Sequence, residues 1–129
     1  MLTRADIVEI VRMWNFPVEE IWVTSGAALV LHGVKETAGD IDLGCTTALA
    51  DRFAAAGCRY RVAADQRRIV EIHPSVELIE NWWVQQIQWI EGLPVASLAD
   101  IRRQKLELGR DKDLRDIALI DAFVMDIKC

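Results

Sequence analysis

Residues 23–44 read VTSGAALVLHGVKETAGDIDLG, and this stretch decides the fold. A β-branched and aromatic run that ends before a glycine predicts a buried strand over residues 20–24. A short apolar helix closed by Gly33 follows it. Residues 40–43 then alternate acidic and apolar side chains, which is typical of a strand with one face on a core and the other on a site. The stretch therefore predicts strand, turn, helix and a second strand with two carboxylates on one face.

Those two carboxylates belong to Asp40 and Asp42, two residues apart. On a strand they project the same way, so they can bind one or two divalent cations together, and Mg²⁺ suits such hard oxygen ligands. An isolated pair of this kind is more often two solvated aspartates flanking a core isoleucine. The preceding turn at Ser25-Gly26 favours a site, because a strand that runs into a helix through small residues leaves backbone N–H groups free for phosphates.

The remaining patterns interleave helices and strands, which predicts a mixed α/β or α+β domain. Helical spacing and caps predict helices over residues 3–14, 47–57, 97–108 and 112–127. Thr3 with Asp6 and Ser97 with Asp100 have the spacing of capping boxes. Short β-rich runs predict strands within residues 58–64, 67–73 and 75–80, and an extended segment over residues 86–90.

Composition describes one acidic domain over residues 1–129, with 20 acidic and 15 basic side chains and a net charge of −5. A chain of this size can bury an ordinary core without disulfides. Its three cysteines, Cys45, Cys58 and Cys129, are far apart and predict neither a disulfide scaffold nor a zinc site. The longest uncharged stretch, residues 21–34, is too short to span a membrane, and the charged N-terminus predicts a cytoplasmic setting.

Two blocks of the sequence together resemble the nucleotidyltransferase superfamily, which includes DNA polymerase β and kanamycin nucleotidyltransferase. The first is Ser25-Gly26-Ala27-Ala28-Leu29 with Asp40-Ile41-Asp42-Leu43, and the second is LPVASLADIRRQKLELGRDKDLRDIALI over residues 93–120. The resemblance is greatest to minimal nucleotidyltransferases and abortive-infection type nucleotidyltransferase toxins, and it covers most of residues 19–121. It implies a minimal nucleotidyltransferase fold, with a short mixed sheet flanked by helices.

The resemblance also implies an activity and its residues. The activity is Mg²⁺-dependent transfer of a nucleoside monophosphate from a nucleoside triphosphate, with ATP among the candidates, and two Mg²⁺ ions. Asp40 and Asp42 correspond to metal ligands and catalytic residues, and Glu77 is the first choice for the third carboxylate, with Glu71 as runner-up. Residues implied to lie near the nucleotide are Ser25, Gly26, Lys105, Arg110 and Lys112. For the last three, the solvated face of two amphipathic helices is an equally good interpretation.

Two residues depart from the family pattern. Ser25 stands where the family has a glycine, at a position that can require a positive φ, and Glu77 stands where aspartate is usual. These departures support a second hypothesis, in which the chain is an inactive nucleotidyltransferase-fold domain that binds a nucleotide or a protein.

The acceptor and partners are predicted only as classes. Because little chain is left for an acceptor domain, the sequence favours a macromolecular acceptor, either protein or RNA, in a toxin–antitoxin or phage-defence setting. Trp82, Trp83 and Trp89 are too many for one short element to bury, and they suggest base stacking, a partner protein or a homodimer. An arginine cluster, formed by Arg59, Arg61, Arg67 and Arg68, is either a solvated sheet edge or a surface for RNA or an acidic partner.

Overall fold

A computed structural model describes residues 1–128, with the side chains of residues 1–126. Within that range the chain forms five helices: α1 Arg4–Trp14, α2 Ser25–His32, α3 Thr47–Ala55, α4 Leu98–Leu108 and α5 Asp111–Lys128. The strands of the same range are β1 Leu2–Thr3, β2 Ile21–Thr24, β3 Thr37–Ala38, β4 Ile41–Cys45, β5 Tyr60–Val62, β6 Arg68–His73, β7 Val76–Glu80, β8 Ile87–Ile90 and β9 Leu93–Ala96. The predicted mixed α+β class is confirmed.

Seven of the strands form one mixed sheet in the order β5-β6-β7-β4-β2-β9-β8. The β4–β7 and β2–β9 pairs are parallel, and the other pairs are antiparallel. The short strands β1 and β3 pair separately, which holds the N-terminus next to the segment before β4. This order places β4, with the acidic pair at its start, near the centre of the sheet.

An apolar row crosses the sheet and holds the core. Val70, Leu78, Leu43, Val23 and Val95 occupy successive register positions on five strands, and none is exposed to solvent. Helices α1 to α4 contribute buried apolar side chains to the same cluster. Because side chains alternate between the two faces of a strand, the residues next to this row point to the opposite face of the sheet. That opposite face carries the candidate site.

Local signals set most helix ends as predicted. Thr3 and Asp6 form the capping box at the start of α1, and Gly33 and Gly109 end α2 and α4 with φ of 89° and 63°. Glycine suits both ends because this left-handed conformation costs it little.

The second predicted capping box forms only in part. The Ser97 hydroxyl accepts the N–H of Asp100, but the Ser97 N–H donates to the carbonyl of Gln86. The buried Asp100 carboxylate instead accepts the N–H groups of Gln85 and Gln86, each at 2.9 Å. The prediction of a reciprocal box was wrong because a segment distant in sequence competes for this carboxylate.

One buried strand escaped the sequence analysis. The predicted extended segment corresponds to β8, but β9 follows it after a two-residue turn and pairs in parallel with β2 through Val23 and Val95. Pro94 obscured this strand, since a proline cannot donate to a sheet and is uncommon between two neighbours. The long-range pairing with β2 outweighs that local signal.

The described cysteines are unpaired, as the sequence predicted for them. Cys45 is buried and Cys58 is partly buried, while Cys129 lies outside the described residues. Burial, the largest cause, raises the pKa of the Cys45 thiol to about 12, so this side chain behaves as a small apolar group. No helix among residues 1–128 has both the length and the apolar character needed to cross a membrane.

Candidate active site

A polar row crosses the open face of the sheet beside the apolar one. Thr24 pairs with Asp42, Asp42 with Glu77, and Glu77 with Glu71, on strands β2, β4, β7 and β6. Residues at matching positions of neighbouring strands share a face, so Asp42 and Glu77 lie side by side. Asp40 was expected within the strand, but β4 begins at Ile41 and Asp40 stands immediately before it, exposed to solvent.

Negative charge is crowded around Asp42. Burial is the largest cause that raises the pKa of this carboxyl to about 6, and the charges of Asp40 and Glu77 raise it further. The positive charges of Lys105 and Lys112 act in the opposite direction without cancelling these effects. A bound cation would relieve this repulsion, because an opposite charge favours the ionised carboxylate.

The carboxylates of Asp40 and Asp42 are suitable ligands for Mg²⁺. Mg²⁺ commonly binds through one or two carboxylates plus substrate phosphates, and Asp40 and Asp42 supply hard oxygen ligands of that kind. No group of three or more histidine, cysteine, aspartate or glutamate side chains among residues 1–126 is arranged to hold a metal ion. Glu77 is engaged elsewhere: its Oε2 lies 2.7 Å from the Arg61 guanidinium. The third predicted carboxylate is therefore next to the aspartates in register but paired with an arginine.

The turn between β2 and α2 has an unusual backbone. Ser25 has a φ of 56°, the left-handed conformation that the family comparison suggested for this position. The Thr24 hydroxyl donates to Gln104 Oε1 at 2.8 Å and makes no capping bond to the first turn of α2. A Cβ on Gly26 would meet only Ala38, at an ordinary 3.8 Å. The surrounding protein atoms therefore do not require this glycine, whereas a phosphate held close to the backbone would.

The opposite side of the cleft is a network of ion pairs between α4 and α5. Lys105 lies 2.9 Å from Asp116 and 3.5 Å from Asp113, and Arg110 donates to Asp113 at 2.6 Å. Lys105 is only 4% exposed, so its interpretation as part of a solvated helix face was wrong. Lys112 is exposed, and it has no ion pair among the described side chains.

The two sides enclose a cleft of about 770 Å³. All eight predicted site residues border it: Ser25, Gly26, Asp40, Asp42, Glu77, Lys105, Arg110 and Lys112. Glu71 borders a smaller neighbouring depression instead. The charged and amide side chains that line the cleft and were not predicted as site residues are Lys35, Arg61, Asp65, Arg67, Gln104, Glu107, Arg115, Asp113 and Asp116. The last two belong to the Lys-Asp-Leu-x-Asp pattern of the second sequence block, over residues 93–120, which was the available signal.

The tryptophans predicted as one surface are distributed over three places. Trp82 is partly buried and borders the cleft, whereas Trp83 is 59% exposed and stacks on Trp22 with ring centroids 5.2 Å apart. Trp22 covers Gly44, where a Cβ would come within 1.9 Å of the indole nitrogen. Trp89 is 60% exposed on β8, at the sheet edge.

The arginine cluster is also divided by its ion pairs. Arg61 contacts Glu77, Arg67 contacts Asp65, and Arg68 contacts Glu80 and Asp51. Because three of these arginines are already paired with carboxylates, an RNA surface is not the role that the geometry favours.

No protein-family model matches the chain, and no curated protein matches it. Among solved structures, it is similar to the crystal structure of ANT(2″)-Ia, an aminoglycoside nucleotidyltransferase, in complex with adenylyl-2″-tobramycin. The TM-score is 0.57 over 92% of this chain and 85% of that chain. The chain has the nucleotidyltransferase fold. At 16% identity this similarity concerns the fold and does not by itself show the activity.

Proposed function

We propose that the chain is a Mg²⁺-dependent nucleotidyltransferase that transfers a nucleoside monophosphate from a nucleoside triphosphate to an acceptor hydroxyl. The observation that carries this proposal is the crowding of Asp40, Asp42 and Glu77 on one side of a cleft whose other side bears lysines and an arginine. A cation with a polyphosphate complements such a cleft, because the cation neutralises the carboxylates and the phosphates face the basic side.

Each residue of the cleft has a role in this proposal. Asp40 and Asp42 hold Mg²⁺, which supplies positive charge to the triphosphate and to the charge that develops during transfer. Gly26 and the start of α2 receive phosphate oxygens through backbone N–H groups. Lys112 faces the remaining phosphate charge.

Glu77 accepts the proton of the attacking hydroxyl in this scheme. The acceptor oxygen forms a bond to the α-phosphorus as the bond from that phosphorus to the pyrophosphate oxygen breaks. The proton leaves with the carboxyl group, and pyrophosphate leaves with the electron pair of the broken bond.

Two acceptor classes remain candidates. One is a macromolecular hydroxyl, on protein or RNA, in a toxin–antitoxin or phage-defence setting. The other is a small-molecule hydroxyl, which the similar structure supports because it holds adenylyl-2″-tobramycin. The present chain covers 85% of that chain. A chain of this fold can thus hold an adenylylated small acceptor.

The activity can be tested with α-labelled ATP, GTP, CTP and UTP, each with Mg²⁺ and with a panel of small hydroxyl compounds, RNA and cell protein. We expect pyrophosphate release and label transfer with at least one pair, and neither with the Asp42→Asn variant. Nucleotide binding without pyrophosphate release in any combination would instead support the inactive binding module, for which the departures at Ser25 and Glu77 are the present arguments.

A further inference from the structure

Arg61 contacts the carboxylate that the proposed function needs. Its Nη1 lies 2.7 Å from Glu77 Oε2, and its Nη2 lies 3.4 Å from Glu77 Oε1. The planar guanidinium therefore faces both oxygens of this side chain, a geometry that suits arginine and not lysine. Because the same oxygens would face a metal ion or an acceptor proton, Arg61 competes with these partners for Glu77.

A second carboxylate lies within reach of the same arginine. Arg61 Nη1 is 3.3 Å from Glu71 Oε1, and Glu71 stands directly opposite Glu77 in the β6–β7 pairing. Glu71 is exposed, while Glu77 borders the cleft. Arg61 can thus give up Glu77 and keep a carboxylate partner.

The position of Arg61 in the sheet permits such a move. It belongs to β5, a three-residue edge strand whose side chains are all exposed. The Arg61 side chain itself is 55% exposed. Movement of the guanidinium between two neighbouring carboxylates then requires only rotamer changes of an exposed side chain, which are fast.

We propose that Arg61 is a two-position latch on Glu77. In the free protein it occupies the oxygens of Glu77 while also contacting Glu71, and it keeps only Glu71 when the cation and nucleotide bind. Glu77 thereby joins the aspartates only when the substrate complex is present. The inference rests on the proposed function, because it needs the cation that Asp40 and Asp42 would hold.

The latch is measurable as metal affinity, without any turnover. Mn²⁺ serves as the probe, in the presence of an ATP analogue with a non-hydrolysable α–β bond, and the free ion is followed by electron paramagnetic resonance. We expect Arg61→Gln to bind Mn²⁺ about threefold to fivefold more tightly than the wild type, since a largely exposed ion pair is worth little. Unchanged or weaker binding would overturn the proposal.

A matched control separates the latch from the loss of a positive charge. Arg67 borders the same cleft but pairs with Asp65, at 2.7 Å, and not with Glu77. We expect Arg67→Gln to change the Mn²⁺ affinity by less than about 1.5-fold. Equal tightening in both variants would mean that general electrostatics accounts for the effect, and would overturn the latch.

Glu71 provides the second test. Glu71→Gln removes the alternative partner, so we expect Mn²⁺ to bind about twofold more weakly. If Glu71 acts through Arg61, this loss disappears when both residues are changed to glutamine. A loss that persists in the double variant would contradict the transfer to Glu71.

The outcome also distinguishes the latch from the proposed function. A wild-type protein that binds no Mn²⁺ with the nucleotide analogue would refute both. A wild-type protein that binds the pair, with an Arg61→Gln variant of the same affinity, would refute the latch alone.

Discussion

The two sides of the cleft shift the pKa values of their aspartates in opposite directions. On the sheet side, burial and the charges of Asp40 and Glu77 raise the pKa of Asp42 to about 6. On the helix side, burial acts in the same direction on Asp113, but hydrogen bonds and charge from Arg110 outweigh it, with help from Lys105, and lower its pKa. Asp113 is therefore satisfied within the protein, whereas the charges of Lys105 and Lys112 do not offset the burial and repulsion at Asp42.

Under the proposed function, this difference separates residues that maintain the structure from residues that bind a ligand. Lys105, Arg110, Asp113 and Asp116 form ion pairs that join α4 to α5, and Asp116 also pairs with Lys35. On the acidic side Glu77 pairs with Arg61, but Asp42 has no such partner, and its raised pKa means that its ionised form opposes folding. The comparison predicts that the same change, aspartate to asparagine, has different consequences on the two sides.

The largest expected effect is on activity at the sheet side. Asp42→Asn keeps the shape of the side chain but removes a proposed metal ligand, and a catalytic metal ion is worth several kcal/mol of transition-state stabilisation. We expect the rate of nucleotidyl transfer to fall by at least about 1,000-fold. Pyrophosphate release under saturating nucleotide measures this, and a loss of less than tenfold would remove Asp42 from the metal site.

On the helix side the expected effect is on stability. Asp113→Asn leaves the buried Lys105 and the Arg110 guanidinium with one fewer carboxylate, so we expect the free energy of unfolding to fall by about 3 kcal/mol. Urea unfolding of the two asparagine variants, at neutral pH, measures the contrast. An Asp113→Asn protein as stable as the wild type would show that this network is not structural.

The pH dependence of stability should reveal the crowding at Asp42. Its pKa in the folded protein lies above the usual value of 3.8, so folding favours the protonated form. The resulting contribution to the free energy of unfolding is at most about 3 kcal/mol. It is fully present below pH 4 and is lost as the pH rises to about 6.

Asp42→Asn is the control for this prediction. It should lack this component of the pH profile, and it should be more stable than the wild type at pH 7 in the absence of metal. Identical urea-unfolding profiles for the two proteins between pH 4 and pH 7 would contradict the assigned crowding.

The smallest expected effect concerns the exposed cation of the helix side. Lys112→Gln removes a charge that faces the cleft and has no described ion pair, so we expect nucleotide affinity to fall about fivefold without loss of stability. Arg102→Gln, on α4 and paired with Asp121 outside the cleft, is the matched control and should leave the affinity unchanged. Equal losses in both variants would indicate a general effect of net charge.

The sequence predicted those parts of the fold that depend on local signals. The turn at Ser25-Gly26, the acidic pair before and within β4, and the glycine that ends α4 are all encoded within a few residues. Glu77 could be chosen because it lies centrally in an acidic-apolar run, and the structure sets it beside Asp42.

What the sequence did not reveal depends on contacts between distant segments. The pairing of Arg61 with Glu77 requires the strand order β5-β6-β7, and the burial of Lys105 requires α5 to pack against α4. Strand β9 is a third example, because its buried position results from pairing with β2 and not from its own residues. Local patterns contain no information on which side chains such packing brings together.

Magnesium-dependent nucleotide binding tests the central claim most directly. Calorimetric titration of a non-hydrolysable ATP analogue into the wild type, with and without Mg²⁺, should show binding that is at least tenfold tighter with the metal. The same titration into a variant with Asp40→Asn and Asp42→Asn should lose this Mg²⁺ dependence while the protein stays folded. Binding that is equally tight with and without Mg²⁺, or that keeps its Mg²⁺ dependence in the double variant, would contradict the account.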